Sequence, residues 1–389
     1  MSHDPFSEHE ARQQAAPADS AASALVNPYL DLVKPYIPGL TSEEASRRYH
    51  IPPDRLIKLS SNENPLGPPP LAAQAAQRML ANLHRYPDSR AQALRHKIAE
   101  IEGLSADHVI IGAGSSEIMS LIVRAFSGPG QDVLSMDPSF TVYSEIAAAD
   151  GRNPALVPLR HPFDLAPQEL LSLVSSNTRI IFITRPNNPT SRLIPIADFE
   201  NIARTVSSAI VVSDEAYIEF ADDYRQQTAA SLIRILGNVI VTRTFSKVFG
   251  IPNLRVGYAL GPPDAIAYLF RLKPKWNVGE VAQQAAIGAL EDHEHFSKTL
   301  SVVRDGRAFL VKELARIEGL EVVPEPQANF VMVRVRETGY SAEGLTERLG
   351  FEGILIRGDF HPEYIRISVG TETDNQSLVR ALHKVLDGR

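Results

Sequence analysis

The chain has 389 residues, 44% of them hydrophobic and 22% charged, with a formal net charge of -7 and no cysteine. That length suits two domains, or one large domain with a smaller partner. The missing cysteines exclude disulfides, thiolate metal sites and cysteine nucleophiles, and an acidic balance without basic blocks argues against nucleic acid as the main partner.

No stretch supplies the roughly eighteen apolar residues of a membrane span, and a chain without cysteine fits the cytoplasm. Residues 1–27, opening "MSHDPFSEHEARQQ", lack the apolar segment of a secretory signal and read as a disordered leader. Residues 28–60 are rich in proline and turn residues and read as an extended N-terminal arm. "LAAQAAQRMLANLHRYP" and "SRAQALRHKIAEIEGL" carry helical spacing of apolar residues.

Seven short apolar runs follow, separated by helical patterns: "HVIIGAG", "DVLSMD", "NPALVPL", "RIIFITRP", "AIVVSDEA", "NVIVTRTFS" and "VGYALG". Fully apolar strands alternating with helices predict an α/β fold, with a mostly parallel seven-stranded sheet between helices. This large domain is expected over 61–273. A long helical stretch after "KPKW" then leads into a smaller α+β domain over 274–389, which the arm would join.

Ligands of parallel α/β sheets bind beyond the carboxyl ends of the strands. There the sequence places Gly112-Ala113-Gly114-Ser115-Ser116, then Asn188, then Asp214 with Tyr217, then Thr244 and Lys247. Each has a plain structural explanation. The glycines suit any tight strand–helix turn, Asn188 before proline suits a turn, a lone Asp214 is more often a helix N-cap, Tyr217 packs at a core edge, and a lone Lys247 lies on the surface. Their conjunction suggests a different use. Pyridoxal phosphate needs a lysine to hold it, a carboxylate at its ring nitrogen, donors to its 3-oxygen and an anion site for its phosphate. A lysine in a poorly solvated pocket near other cations is favoured as the nucleophilic amine. Lys247 would be that lysine, and Arg255 would hold the phosphate.

The residues resemble the fold-type I pyridoxal-phosphate aminotransferases, and more narrowly the histidinol-phosphate aminotransferase family. "VKPYIPG", "NENPLGP", "RYPD", "GAGSSE", "DPSFTVY", "RPNNPTS", "VSDEAYIEF", "TFSKVFGIPNLRVGY" and "YIRISVGT" carry the resemblance, which spans nearly everything after residue 27. It implies that Lys247 binds the cofactor and shuttles the proton, and that Asp214 keeps the ring nitrogen protonated. Asn188 and Tyr217 would bond the 3-oxygen and Phe140 would stack on the ring. Ser115, Ser116, Thr244 and Arg255 would bind the phosphate, joined by Tyr86 from the neighbouring subunit of a homodimer. Arg366, Arg357 and Asn62 would line the substrate pocket, for an amine donor and 2-oxoglutarate.

Four features depart from the family's pattern: Ser191 where glycine is usual, Trp276 near the domain junction, a short loop between Arg357 and Arg366, and the leader. An aromatic amino-acid aminotransferase is the main alternative, with a phosphothreonine decarboxylase behind it. A nicotinamide-dependent oxidoreductase would leave Lys247 and Asp214 unused, and "GAGSSE" lacks the third glycine of that fingerprint. A regulatory module would need a basic DNA-reading segment that is missing. Arg366 alternates with Ile365 and Ile367 and also suits a solvent-facing strand position, and Phe140 also suits the core. His293 and His295, two apart, do not share a helical face and read as solvated, with no metal site.

Overall fold

The computed structural model describes residues 25–33 and 39–387. Residues 1–24 of the expected leader lie outside these. Leu25 to Asn27 are described, and the Asn27 side chain caps a short 3-10 helix, Pro28–Leu32, accepting from the Tyr29 N–H at 3.1 Å.

The arm contributes helix α1 (Ser42–Tyr49) and strand β1 (Ile57–Lys58). Thr41 and Glu44 close a reciprocal capping box at the start of α1, so two otherwise orphaned backbone donors are satisfied by side chains. Helices α2 (Pro70–Met79) and α3 (Gln92–Glu102) come next.

The central sheet has strands β2 (Val109–Gly112), β3 (Asp132–Asp137), β4 (Asn153–Pro158), β5 (Thr178–Thr184), β6 (Ile210–Asp214), β7 (Val239–Thr244) and β8 (Gly257–Leu260). Their order is β2-β8-β7-β6-β5-β3-β4, and only β8 runs antiparallel to its neighbours. Between and after them lie α4 (Ser115–Phe126), α5 (Val142–Ala149), α6 (Pro167–Leu173), α7 (Ile196–Thr205), α8 (Tyr224–Gln227), α9 (Pro263–Leu272) and α10 (Glu280–Glu291).

The apolar runs of the strands divide by the period of two that a pleated strand imposes. Ile110, Ile180, Phe182, Val212 and Ile240 pack under α4, α5 and α9. Their chain neighbours Ile111, Ile181, Ile183, Val211 and Val241 pack on the other face with Leu94, Ile98, Phe199 and Ile202 from α3 and α7. Both faces are therefore covered, which is why these strands read as continuous hydrophobic stretches. Each fully buried branched or aromatic side chain contributes roughly 1.5–3 kcal/mol. β4 sits at the edge with several exposed residues and a proline at its last position, where a missing N–H does least harm.

The sheet's apolar packing continues past residue 273. Ala282, Ala285, Ala286 and Ala289 of α10 join the α3/α7 face, as does Val303 of α11 (His293–Leu314). Leu310 and Leu314, further along the same helix, belong to a separate cluster with Val331, Val333, Ile365 and Ile367. Helix α11 thus spans the two cores. The second core holds β9 (Glu321–Val322), β10 (Phe330–Arg334), α12 (Ala342–Phe351), β11 (Ile354–Leu355), β12 (Tyr364–Ser368) and α13 (Glu372–Asp387). Strands β12, β10 and β9 form an antiparallel sheet in that order, while β11 pairs in parallel with β1 and so ties the arm to this unit.

Candidate active site

Because β2, β3, β5, β6 and β7 run in one direction, their carboxyl ends open on one edge of the sheet. There they meet the arm and β12 around a cavity of about 530 Å³. Of the residues singled out by sequence, Asn62, Ser115, Ser116, Phe140, Asn188, Asp214, Tyr217, Thr244, Lys247, Arg255, Arg357 and Arg366 all line it. Tyr86 does not. It is 80% exposed and stacks on Trp276 with ring centres 4.7 Å apart.

The start of α4 forms one end of the cavity. Gly114 precedes Ser115 with φ +81°, and a Cβ there would come within 2.5 Å of an Arg255 guanidinium nitrogen. Gly257 faces the same turn, and a Cβ on it would lie 2.5 Å from the Ser115 backbone nitrogen. Bare backbone at a helix start beside an arginine makes a compact anion cradle. The Thr244 hydroxyl donates to Ser246 Oγ at 3.0 Å, and Arg255 reaches the same Ser246 oxygen at 3.3 Å, which gathers these donors.

Asp214 lies at the centre, 2% exposed. Strand register sets Thr184 of β5 and Thr242 of β7 on either side of it. Thr242 donates to its Oδ1 at 3.1 Å and Tyr143 to its Oδ2 at 2.5 Å. Burial pushes its carboxyl up to about 6, against the opposing effect of these hydrogen bonds. The neighbouring Glu215 turns away to a buried network with Arg243, Thr228 and the Ala229 N–H. Burial likewise lifts Glu219 to about 7.

Lys247 follows β7, half-buried, and donates to the Ser61 carbonyl at 3.1 Å. Its Nζ lies 5.6 Å from the Tyr217 ring centre. The Tyr217 hydroxyl accepts from Asn62 Nδ2 at 3.3 Å, while Asn62 is held to Ser368 through both its backbone N–H and its Oδ1, each at 2.8 Å. Asn62 adopts φ +53°, a left-handed conformation that asparagine tolerates better than most residues.

Arg366 donates to Asn188 Oδ1 at 2.6 Å and to the Ser60 carbonyl at 2.6 Å. A guanidinium only donates, so this bond fixes the Asn188 amide with its oxygen toward the arginine and its nitrogen available as a donor elsewhere. The solvent-facing alternative for Arg366 is thereby excluded. Arg357 bridges to Arg366 across an isolated antiparallel pair and bonds Asp359 at 2.5 Å. The short loop that follows puts Phe360 against the cavity. Phe140 is half-buried there, edge-on to Tyr143.

Ser191, unusual for a position that favours glycine, has φ +63°. Its hydroxyl accepts from the backbone N–H groups of Gln327 at 3.1 Å and Ala328 at 2.8 Å, bonds that a glycine could not accept and that offset the strained conformation. His293 is exposed, whereas His295 is half-buried with its Nδ1 3.4 Å from Thr299 Oγ1. Its Nε2 is shut away from water with no hydrogen-bond partner. Among the described residues no cluster could hold a metal ion, and no helix is long and apolar enough to cross a membrane.

Sequence reasoning missed Tyr143, Ser139, Ser246 and Phe360. A signal existed for Tyr143, three residues after Phe140 at a helix start and so within reach of the same site. The others depend on how loops fold back, which no spacing encodes.

The donor set fits pyridoxal phosphate. An anion cradle stripped of Cβ atoms, a buried carboxylate and a lysine share one cavity, with room for an aromatic ring beside Phe140.

Comparison with known proteins identifies relatives of the whole chain. The model of the class I and II aminotransferases matches residues 54–382. A histidinol-phosphate aminotransferase of Anaeromyxobacter sp. is 37% identical over 366 residues, covering 93% of this chain and 99% of the relative. One from Caldicellulosiruptor saccharolyticus is 36% identical, covering 91% and 98%. Among solved structures, the histidinol-phosphate aminotransferase of Clostridium acetobutylicum superposes with a TM-score of 0.79 at 27% identity, covering 86% of this chain and all of its own. That of Sinorhizobium meliloti, in complex with pyridoxal-5'-phosphate, shares the fold with a TM-score of 0.83 at 24% identity, covering 97% and 99%.

Proposed function

The chain belongs to the class I and II aminotransferase family, and on that premise we propose that it moves the amino group of histidinol phosphate to 2-oxoglutarate. It is a pyridoxal-phosphate-dependent transaminase. The observation that carries the substrate reading is the pairing of two arginines, Arg357 and Arg366, on adjoining backbone segments at the cavity's outer wall. Two guanidinium groups suit a substrate that presents a phosphate in one half-reaction and a carboxylate in the other.

Pyridoxal phosphate, when bound, supplies an electron sink for the charge left at the substrate's Cα. The residues divide the remaining work. Lys247 would hold the cofactor, and its Nζ would take the Cα proton as general base. The Asp214 carboxylate holds a proton at the ring nitrogen. Tyr217 and the Asn188 amide nitrogen would hold the 3-oxygen, and Phe140 would lie beside the ring. Ser115, Ser116, Thr244 and Arg255 hold the phosphate, with Ser246 between the last two. Asn62 fixes Tyr217 and closes the arm over the site.

The reading includes a cytoplasmic homodimer. Tyr86 stands away from its own chain's cavity, and Leu80 and Leu83 beside it are exposed at 55% and 68%. A surface of that kind fits a second copy, to whose phosphate cradle Tyr86 would reach.

One observation favours a second reading. Phe360 gives the substrate side of the cavity an apolar wall, which suits an aromatic amino acid. A panel of amino donors with 2-oxoglutarate separates the two. Preference for the phosphorylated amine supports histidinol phosphate, and preference for phenylalanine or tyrosine overturns it.

A further inference from the structure

We propose that Tyr143 is a positioning residue for Asp214, holding that carboxylate ionised and in register with the cofactor's ring nitrogen. The inference rests on the transaminase reading and adds a residue that sequence did not single out.

The geometry comes from a buried chain of hydroxyls behind the cavity. Tyr143 is 1% exposed, and its ring lies flat on Phe182 at 4.6 Å with 11° between planes. Its hydroxyl meets Asp214 Oδ2 at 2.5 Å and Thr184 Oγ1 at 2.8 Å. Thr184 continues to Ser139 at 3.0 Å, and Ser139 donates to Asn187 Oδ1 at 2.7 Å. The direction of the chain is fixed at its far end. The Asn187 amide nitrogen is spent on the Pro138 carbonyl and Thr190 Oγ1, so its oxygen can only accept. Ser139 therefore gives its proton to Asn187. Thr184 can give its own to Ser139 or to Tyr143, and Tyr143 keeps its proton for Asp214.

The surroundings make that donation matter. Burial alone favours the neutral carboxylic acid, which cannot hold a second proton on the ring. From β7, Thr242 donates to the other carboxylate oxygen, and the Ala216 N–H adds a backbone donor. Tyr217, Lys247, Arg255 and Arg366 share the cavity lining with Asp214. Glu215 is turned to Arg243 and Arg185 and is compensated there. Tyr143 supplies the shortest contact in this set and comes from a helix, α5, pinned by the same stacking that locks its ring.

The test uses the cofactor-loaded full chain as wild type, Tyr143→Phe and Phe182→Leu. The last disturbs the stacking and leaves the hydroxyl in place. The pH midpoint of the bound cofactor's visible absorbance should rise by about half a unit or more in Tyr143→Phe, because a less protonated ring withdraws fewer electrons from the lysine-linked nitrogen. Cofactor affinity should weaken by roughly tenfold, the worth of one charge-assisted hydrogen bond, and kcat should fall with KM unchanged. Phe182→Leu should keep the wild-type midpoint even where its melting temperature drops. An unmoved midpoint in Tyr143→Phe, or an equal shift in Phe182→Leu, overturns the role of Tyr143. A wild-type chain that takes up no pyridoxal phosphate overturns the transaminase reading itself.

Discussion

The wall of the cavity that carries Asp214, Thr244 and Lys247 grows directly from buried strands. The wall that carries Asn62, Arg357 and Arg366 is assembled from the segment that follows the arm, the stretch after β11 and an edge strand of the smaller sheet. Asp214 and Thr244 are the last residues of strands whose every neighbour is packed, so their positions are set by the sheet itself. Arg366 instead reaches its place through bonds to Asn188 in one unit and Ser60 in the arm, and Arg357 leans on an exposed Asp359. The difference separates two tasks. On the proposed mechanism, groups that would meet the reacting atoms sit on a rigid frame, whereas groups that would choose the substrate sit where loop length and side-chain identity can vary without disturbing the core.

Substitutions should expose this division. Lys247→Ala, which on the proposed mechanism removes both the covalent anchor and the general base, should lower kcat by about 10⁴-fold or more while the chain still binds cofactor non-covalently. Single-turnover assays with trace product detection read it. Asp214→Asn, on the same rigid wall, should lower kcat by roughly 10²–10³-fold with little change in KM, in line with the loss of one preorganised charge.

The outer wall should respond in KM. Arg366→Ala removes a charged partner and should raise KM for 2-oxoglutarate by roughly 10- to 100-fold, the equivalent of a charge-assisted hydrogen bond or two. Arg357→Gln should discriminate between donors, raising KM for a phosphorylated amine by roughly tenfold while sparing phenylalanine. If both arginine variants lowered kcat alone, the assignment of selection to the outer wall would fail.

A further prediction concerns stability without cofactor. Asp214 has a folded-state pKa of about 6 against an ordinary 3.8. The folded chain then holds this proton more tightly than the unfolded one. Its contribution is complete below about pH 4 and is lost as pH rises through 6, an amount on the order of 3 kcal/mol. Glu219, lifted to about 7, adds a loss of the same sign at slightly higher pH. Denaturant midpoints of the apo chain should fall between pH 4.5 and 7, and Asp214→Asn should remove part of that slope.

Much of the rigid wall could be read from the sequence, for a physical reason. A strand buried on both faces must be continuously apolar, so the residues that break the run mark its end and thus the site: "VVSD" ending at Asp214 and "VIVTRT" ending at Thr244. The seven strands all stand out as short apolar runs, the partly exposed edge strand β4 included, and the antiparallel direction of β8 does not, because hydrophobicity carries no sense of direction. The reach of the large unit into α10 was hidden too. Its alanines suit a close helix–helix contact with α2 and show no stronger pattern than any other helix. Tyr143 looked like another aromatic at a helix start, and only the register of β5, β6 and β7 reveals that it ends against Asp214. Phe360 sits in a loop whose path depends on Arg357 and Asp359 and on nothing periodic.

The central claim is that Lys247 and Asp214 clasp one coenzyme between them. Reduction of the pyridoxal-phosphate-loaded chain with borohydride, followed by peptide mapping, tests it most directly. The account predicts a single phosphopyridoxyl group on the peptide containing Lys247. Label on another lysine, or none on a chain whose fold is intact, contradicts it.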